Sequence, residues 1–325
     1  MTKKKNLFIF SIILIVIIAV VIPSPNSEID NRESKKNITL IVKMKGGNYW
    51  NTVRLGAEAA AKEYNAGVSF VAADRERDVK EQIKLVEGAI DNKVDAIILA
   101  ASDYKELSTF VDKANSNNIP VITIDTEVDS KNARSFIGTD NIKAGEKAGE
   151  ALVSSSGVDC KIAVMSFVKG SKNAEQREKG LNDVILKYPS IKVVAKEYCQ
   201  SDADTAAALT RKVISEHKDL NAIVALNEVA AIGVSKAIDD MNLEGKVKVV
   251  GFDNAPEEIK LLEGGVIQAI VIQNPFSMGY FGVKYAVEAV EGKKIPKSVD
   301  TGVKVINKEN LYLPDNQKLV FPFIK

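Results

Sequence analysis

"VDAIILA" at residues 94–100 and "LNAIVAL" at residues 220–226 are nearly the same phrase written twice, about 126 residues apart. Each is a short apolar run with polar residues on either side. That is how a strand buried on both faces of a parallel sheet reads. The surroundings repeat as well. Before the first phrase come "ITLIV" (38–42), "NTVRLGAEAAAKEYN" (51–65), "VSFVAA" (68–73) and "DVKEQIKLVEGAIDN" (78–92). The second and fourth have helical spacing, with Val53, Leu55, Ala59 and Tyr64 on one side of the first helix and Val79, Ile83, Val86 and Ile90 on one side of the other. A helix over 103–117 and the strand "IPVITID" (119–125) follow. The second copy runs through "KIAVM" (161–165), "AEQREKGLNDVILKY" (174–188), "IKVVAKEY" (191–198), a helix over 204–217, the quoted strand, a helix over 228–241 and "VKVVGFD" (247–253). The tail adds the strand "VIQAIVIQNP" (266–275), a helix over 276–291 and a last short strand in "GVKVINKENL" (302–311). Strands alternating with helices, twice over, predict an α/β fold of two doubly wound parallel-sheet lobes.

The first 37 residues stand apart. Lys3 to Lys5 precede an apolar run from Leu7 to Ile22 that only one serine interrupts, and Pro23 and Pro25 stop it. Positive flank then apolar core is the layout of an export signal, yet "VIPSPNSE" offers no small-residue cleavage pattern. The lipid route is closed too, because the only cysteines are Cys160 and Cys199. Residues 1–22 are therefore expected to be a signal or anchor helix, either cut or retained as a membrane segment. The lysines favour a cytoplasmic N-terminus and an extracytoplasmic body. Residues 23–37 form a polar linker. Cys160 precedes one predicted strand and Cys199 follows the next, so if those strands are parallel neighbours the thiols lie roughly 20 Å apart and form no disulfide.

Forty-four lysines and arginines against 43 aspartates and glutamates leave a net charge of +1, which suggests no polyanion and no nucleic-acid partner. There is no G-x-G-x-x-G, no P-loop and no G-x-S-x-G. The one histidine, His217, sits among charges at a helix end. No Cys/His cluster suits a metal, and no residue looks like an activated nucleophile. The expectation is a non-enzyme without cofactor or metal.

Open parallel sheets bind ligands beyond the carboxyl ends of their strands, so those ends carry the candidates. The first strand runs into "KMKGGNYWN", which supplies Lys43 as a donor and Tyr49 and Trp50 as a flat wall or, equally, as a cap on the core. "IPVITID" delivers Asp125 followed by Thr126, and "VKVVGFD" delivers Asp253. An aspartate in such a place is a helix cap or a ligand group. Two at matching places in two lobes would face each other, and each carboxylate accepts two hydroxyls. Asn227 and Glu228 end "LNAIVALNE", Arg177 lies in "NAEQREKG", and Gln273 ends "QAIVIQNP". Hydroxyl-binding groups beside aromatic planes suit a carbohydrate.

Taken in order and spacing, "IPVITIDT", "IGTDN", "AEQREKG", "ALNEVAAIG", "VVGFD" and "VIQNP" resemble the type I periplasmic sugar-binding proteins, over about residues 38–310. The resemblance implies a ligand site at Tyr49, Trp50, Asp125, Arg177, Asn227, Asp253 and Gln273, with Lys43 and Thr126 at positions where ribose binders carry a small hydroxyl residue and an arginine. Those departures argue against ribose, and a pentose such as xylose is expected. The resemblance also implies a three-crossover hinge near Thr139, Asn274 and Thr301. The N-terminal lobe would hold 38–138 plus 275–300, and the C-terminal lobe 139–274 plus 301–325. The family's usual partner is an ABC permease. The chain also resembles clostridial membrane-anchored xylose-sensing proteins, whose partner is a sensor histidine kinase, and the unlipidated N-terminus favours that role.

Overall fold

The computed structural model describes residues 35–321. The apolar stretch 7–22 lies outside them, as does most of the linker. Among the described residues no helix is long and apolar enough to cross a membrane.

Two six-stranded sheets organise the chain. In chain order the first takes β1 (Lys36–Val42), β2 (Ala66–Ala72), β3 (Ala96–Leu99), β4 (Val121–Ile124), β5 (Ser135–Gly138) and β11 (Ser298–Asp300). The second takes β6 (Lys161–Ser166), β7 (Lys192–Tyr198), β8 (Ala222–Ala225), β9 (Lys248–Phe252), β10 (Ala269–Ile272) and β12 (Lys304–Asn307). Their spatial orders, β11-β5-β4-β3-β1-β2 and β12-β10-β9-β8-β6-β7, superpose strand for strand. Every pairing is parallel except β10 with β12. All four residues of β3 and of β8 are buried, as the two opening phrases require of strands covered on both faces.

Helices α1 (Asn48–Glu63), α2 (Val79–Asp91), α3 (Ser108–Ser116) and α9 (Pro275–Val290) cover the first sheet. Helices α4 (Asn141–Ser156), α5 (Lys172–Ile185), α6 (Ala203–Glu216), α7 (Glu228–Asp240) and α8 (Pro256–Gly264) belong to the second, and α10 (Pro314–Val320) closes the chain. The chain thus passes between sheets three times, after β5, after β10 and between β11 and β12. Two of these passages open directly onto capped helices. Asp140 accepts the Lys143 N–H at 3.1 Å to start α4, and Asn274 accepts the Ser277 N–H at 3.1 Å to start α9, with Pro275 in its first turn.

Each crossover helix is locked to the first helix of its lobe by paired glycines. A Cβ on Gly56 of α1 would lie 2.0 Å from the Phe276 carbonyl oxygen of α9, and one on Gly279 would lie 1.9 Å from that of Val53. In the other lobe Gly145 of α4 meets the Arg177 carbonyl of α5 at 2.1 Å, and Gly180 of α5 meets that of Ile142 at 1.9 Å. Such backbone-to-backbone approach leaves no room for a side chain.

The structure adds elements that the sequence pattern leaves unmarked. α4 buries Asn141, Ala144, Gly145, Ala148, Gly149, Ala151 and Leu152, and a face with one large apolar residue carries little hydrophobic signal. β5 and β11 are three or four residues long and pair with each other at the edge of their sheet. α3 begins at Ser108 rather than at 103, because the Asp103 carboxylate takes the N–H groups of Lys105 and Glu106, both at 2.7 Å, and makes a turn there. β6 and β7 are parallel neighbours with Cys160 before one and Cys199 after the other, and both thiols are free and buried.

Candidate functional site: a polar cavity between the sheets

The carboxyl ends of both sets of strands meet around a cavity of about 60 Å³. By the same measure one water needs about 10–15 Å³, so the space suits one small polyol rather than a chain of sugars. Eight of the nine candidate residues line it: Lys43, Tyr49, Trp50 and Asp125 from the first lobe, and Arg177, Asn227, Asp253 and Gln273 from the second. Thr126 does not. Its hydroxyl is buried behind the wall, donating to Asp125 Oδ2 at 2.8 Å.

Asp125 and Asp253 occupy the same place in their lobes, one residue beyond β4 and β9. Both adopt left-handed backbone, with φ of 61° and 76°. For a non-glycine residue that conformation costs on the order of 1 kcal/mol or more, and Asp tolerates it better than most. Each carboxylate is then fixed from within its own lobe. Asp125 accepts the Tyr49 phenol at 2.8 Å and pairs with Lys43 at 3.0 Å. Asp253 accepts Gln273 Nε2 at 2.8 Å and the Glu228 N–H at 3.1 Å.

The two aspartates differ electrically. Burial works to raise both carboxyls. At Asp125 the Lys43 and Arg177 charges outweigh it and hold the group below its ordinary value. At Asp253 burial prevails over Arg177 and the hydrogen bonds, so its value is raised. Lys43 is itself 1% exposed. Burial would lower its ammonium, but Asp125 and Glu76, the latter at 3.1 Å, keep it raised and charged. Tyr49 lies well above the usual phenol range through burial and the adjacent Asp125, so it is a neutral donor.

The aromatic groups serve both roles left open by the sequence. Tyr49 and Trp50 meet edge to face, with centroids 5.0 Å apart, and belong to the first lobe's core while lining the cavity. Phe167, one residue beyond β6, supplies a ring from the second lobe. The Arg177 guanidinium lies 4.5 Å from the Phe252 ring centroid and 5.6 Å from that of Phe167. It donates to Asn141 Oδ1 at 2.9 Å and to the Leu226 carbonyl at 2.7 Å. A planar cation held by rings and two acceptors cannot swing away from the cavity.

Several residues in and around the cavity wall escape a strand-end reading. Glu76 lies in the charged loop "DRERD" after β2, which reads as solvated surface. Asn173 sits in the first turn of α5 and donates to Asp125 Oδ2 at 3.4 Å across the cleft. Ser201 donates across it to Glu76 and accepts from Asn227 Nδ2 at 3.1 Å. Glu228 accepts the Asn48 N–H from the other lobe at 3.2 Å. Only Glu228 had a visible signal, as the neighbour of Asn227 at a strand end. Among the described residues no cluster of three or more His, Cys, Asp or Glu is placed to hold a metal.

Comparison with known proteins agrees with this architecture. Residues 38–294 match the periplasmic binding protein domain. The ribose import binding protein of Bacillus subtilis is 26% identical over 307 residues, covering 93% of this chain and 98% of that protein. A carbohydrate transporter solute-binding protein of Agrobacterium radiobacter, solved with D-arabinose, superposes with a TM-score of 0.86 at 33% identity, over 89% of this chain and 99% of the other. An ABC transporter solute-binding protein of Agrobacterium vitis with bound D-fucose gives 0.86 at 34%, over 88% and 100%. These relatives are binding proteins and not enzymes, and the chain belongs to the type I periplasmic sugar-binding family.

Proposed function

We propose that the protein is an extracytoplasmic receptor for one monosaccharide, with a pentose such as xylose as the expected class. The observation that carries this is the pair of buried, strained aspartates, Asp125 and Asp253, facing one small cavity from opposite lobes between aromatic walls. Each is an acceptor of sugar hydroxyls, and Trp50 and Phe167 suit the apolar faces of a sugar ring. Lys43, Arg177, Asn227 and Gln273 complete a set that both donates and accepts. The relatives named for ribose and solved with D-arabinose take pentoses, which supports the same class here. A sugar that bonds to both lobes favours the closed arrangement, and closure is the signal a partner reads.

The test is a thermal-shift panel of pentoses and hexoses on wild type and Asp253→Ala. A ligand that binds only the native state raises its stability. One or a few sugars should stabilise the wild type and none the variant. Equal stabilisation of both proteins sinks the site assignment, and no stabilisation by any sugar sinks the function.

Two partners are in play. The apolar stretch 7–22, without a cleavage pattern or lipid-bearing cysteine, supports an anchored receptor that signals to a sensor histidine kinase. The import and transporter names of the relatives support an ABC permease. Mass spectrometry of the native protein separates them: a mature N-terminus near residues 24–28 removes the support for the anchored sensor.

A further inference from the structure

Glu228 is 7% exposed, lines the cavity and belongs to the second lobe at the first position of α7. One carboxylate oxygen is spoken for. Oε1 accepts the Asn48 N–H at 3.2 Å, and the neighbouring Tyr49 N–H also favours the charged form of this carboxylate. These are the first two backbone donors of α1, which has no capping side chain of its own. Gly47, at φ 84°, brings that helix start close, since a Cβ there would lie 3.7 Å from Oε1. Glu228 therefore caps a helix of the opposite lobe. The other oxygen, Oε2, is buried and bonds to nothing among the described residues.

The charge facing Glu228 is of its own sign. That charge is the Asp253 carboxylate at the end of β9; Glu258 of α8, fully buried, is itself held well above the ordinary carboxyl range by burial and its acidic neighbours and faces Glu228 uncharged. From α1 come only uncharged N–H groups. The cavity's cations are engaged elsewhere, Lys43 with Asp125 and Glu76, and Arg177 with Asn141 and the Leu226 carbonyl between two rings. A buried carboxylate beside another and without a cation is relieved by taking a proton. Because Oε1 is already an acceptor, that proton belongs on Oε2.

We propose that Glu228 is a further ligand-binding residue, acting as a neutral carboxylic acid that bridges to α1 with Oε1 and donates from Oε2 to a sugar oxygen when the lobes close. The assignment rests on the monosaccharide reading above. A ring oxygen of a sugar only accepts, and Asn227 and Gln273 each commit one amide hydrogen to Ser201 and Asp253, so an O–H on Oε2 adds a donor beside the amide hydrogens that remain. Burial, and then Asp253, pushes the Glu228 carboxyl from 4.5 to about 7 in this arrangement. Opening the cleft exposes it and returns it toward its ordinary value. Closure then takes up a proton, so affinity is highest below about pH 5, falls by up to roughly tenfold per pH unit toward pH 7, and levels off above.

Calorimetric titration with D-xylose, D-ribose, D-arabinose and D-allose at pH 6, in buffers of different ionisation enthalpy, counts that proton. A neutral sugar brings none of its own. Wild type should take up roughly 0.9 protons on binding, and Glu228→Gln, which keeps a donor without a titratable group, close to none. Between pH 5 and 8 the Gln variant should bind with flat affinity, and Glu228→Ala should bind more weakly than Gln at pH 5. Equal proton uptake in wild type and Gln variant, binding without uptake at pH 6, or Ala binding as tightly as Gln overturns the assignment alone. Preference for D-glucosamine over the neutral sugars overturns it in favour of an ionised Glu228. Failure of all four sugars to bind overturns the functional reading and this residue's role with it.

Discussion

Replacing Lys43 with methionine removes one charge and leaves two buried carboxylates facing each other. Lys43 Nζ lies 3.0 Å from Asp125 and 3.1 Å from Glu76, whose side chains are 4% and 7% exposed. Breaking a buried ion pair from one side costs about 3–5 kcal/mol, because the partner's desolvation is no longer offset. Arg177 still acts on Asp125, but from a position already committed to other acceptors. A loss near 3–5 kcal/mol is a large part of the about 5–15 kcal/mol that holds a native protein together. At about 2–4 °C per kcal/mol for a chain of this size, it lowers Tm by roughly 6–20 °C. The pH dependence is the sharper test. In the wild type the Asp125 carboxyl is depressed below 3.8, so its contribution is in place above that value and is lost only as pH falls through the lower one. Between pH 5 and 8 it is constant. In the variant Asp125 has burial without its main counter-charge, its value rises, and the penalty grows with pH. Urea unfolding at pH 5, 6, 7 and 8 should show a gap that widens with pH. Adding Asp125→Asn should recover part of it at pH 8. A gap under about 1 kcal/mol, or one of constant size from pH 5 to 8, refutes the account of the triad.

Two further substitutions probe the scaffold. Gly279→Ala puts a methyl group 1.9 Å from the Val53 carbonyl oxygen and must spread α9 from α1; the overpacking costs about 1–3 kcal/mol or more, read as a lower urea midpoint. Gly88→Ala, in α2 with nothing within 4 Å of the added carbon, should instead raise stability by about 0.5–1 kcal/mol through helix propensity.

The sheets were legible because their central strands are buried on both faces, so "AIIL" of β3 and "AIVA" of β8 carry no polar interruption. α4, the edge strand β11 and its neighbour β5 were not, since small residues and short pairings leave little hydrophobic pattern. The strand-end rule found Lys43, Asp125, Asp253 and Gln273 directly after their strands and Asn227 two residues beyond β8, but passed over Phe167 directly after β6, an apolar residue that reads as core. Glu76 and Asn173 reach it from a loop and a helix start, and Ser201 braces Glu76 and Asn227 beside it. What places them is packing of the second lobe against the first, and no local spacing encodes that. Thr126 shows the converse. Adjacency to Asp125 put it beside the cavity in sequence, but the left-handed turn at Asp125 carries it behind the wall.

The hydrogen bonds of the cavity fall into two sets with different lifetimes. Those that orient Asp125 and Asp253 run inside one lobe, to Tyr49, Lys43 and Thr126 on one side and to Gln273 and the Glu228 N–H on the other. Those that join the lobes are Ser201 to Glu76, Asn48 to Glu228, Asn173 to Asp125, and Lys43 to Ser171 and Asn173 at a long 3.5 Å each. Opening the cleft breaks only the second set. Each lobe keeps its own carboxylate oriented, so on the proposed reading an arriving sugar meets a prepared acceptor on whichever lobe it touches first. On the proposed reading the second lobe then needs only to swing, with few side chains to rebuild, and closing is a rigid-body step.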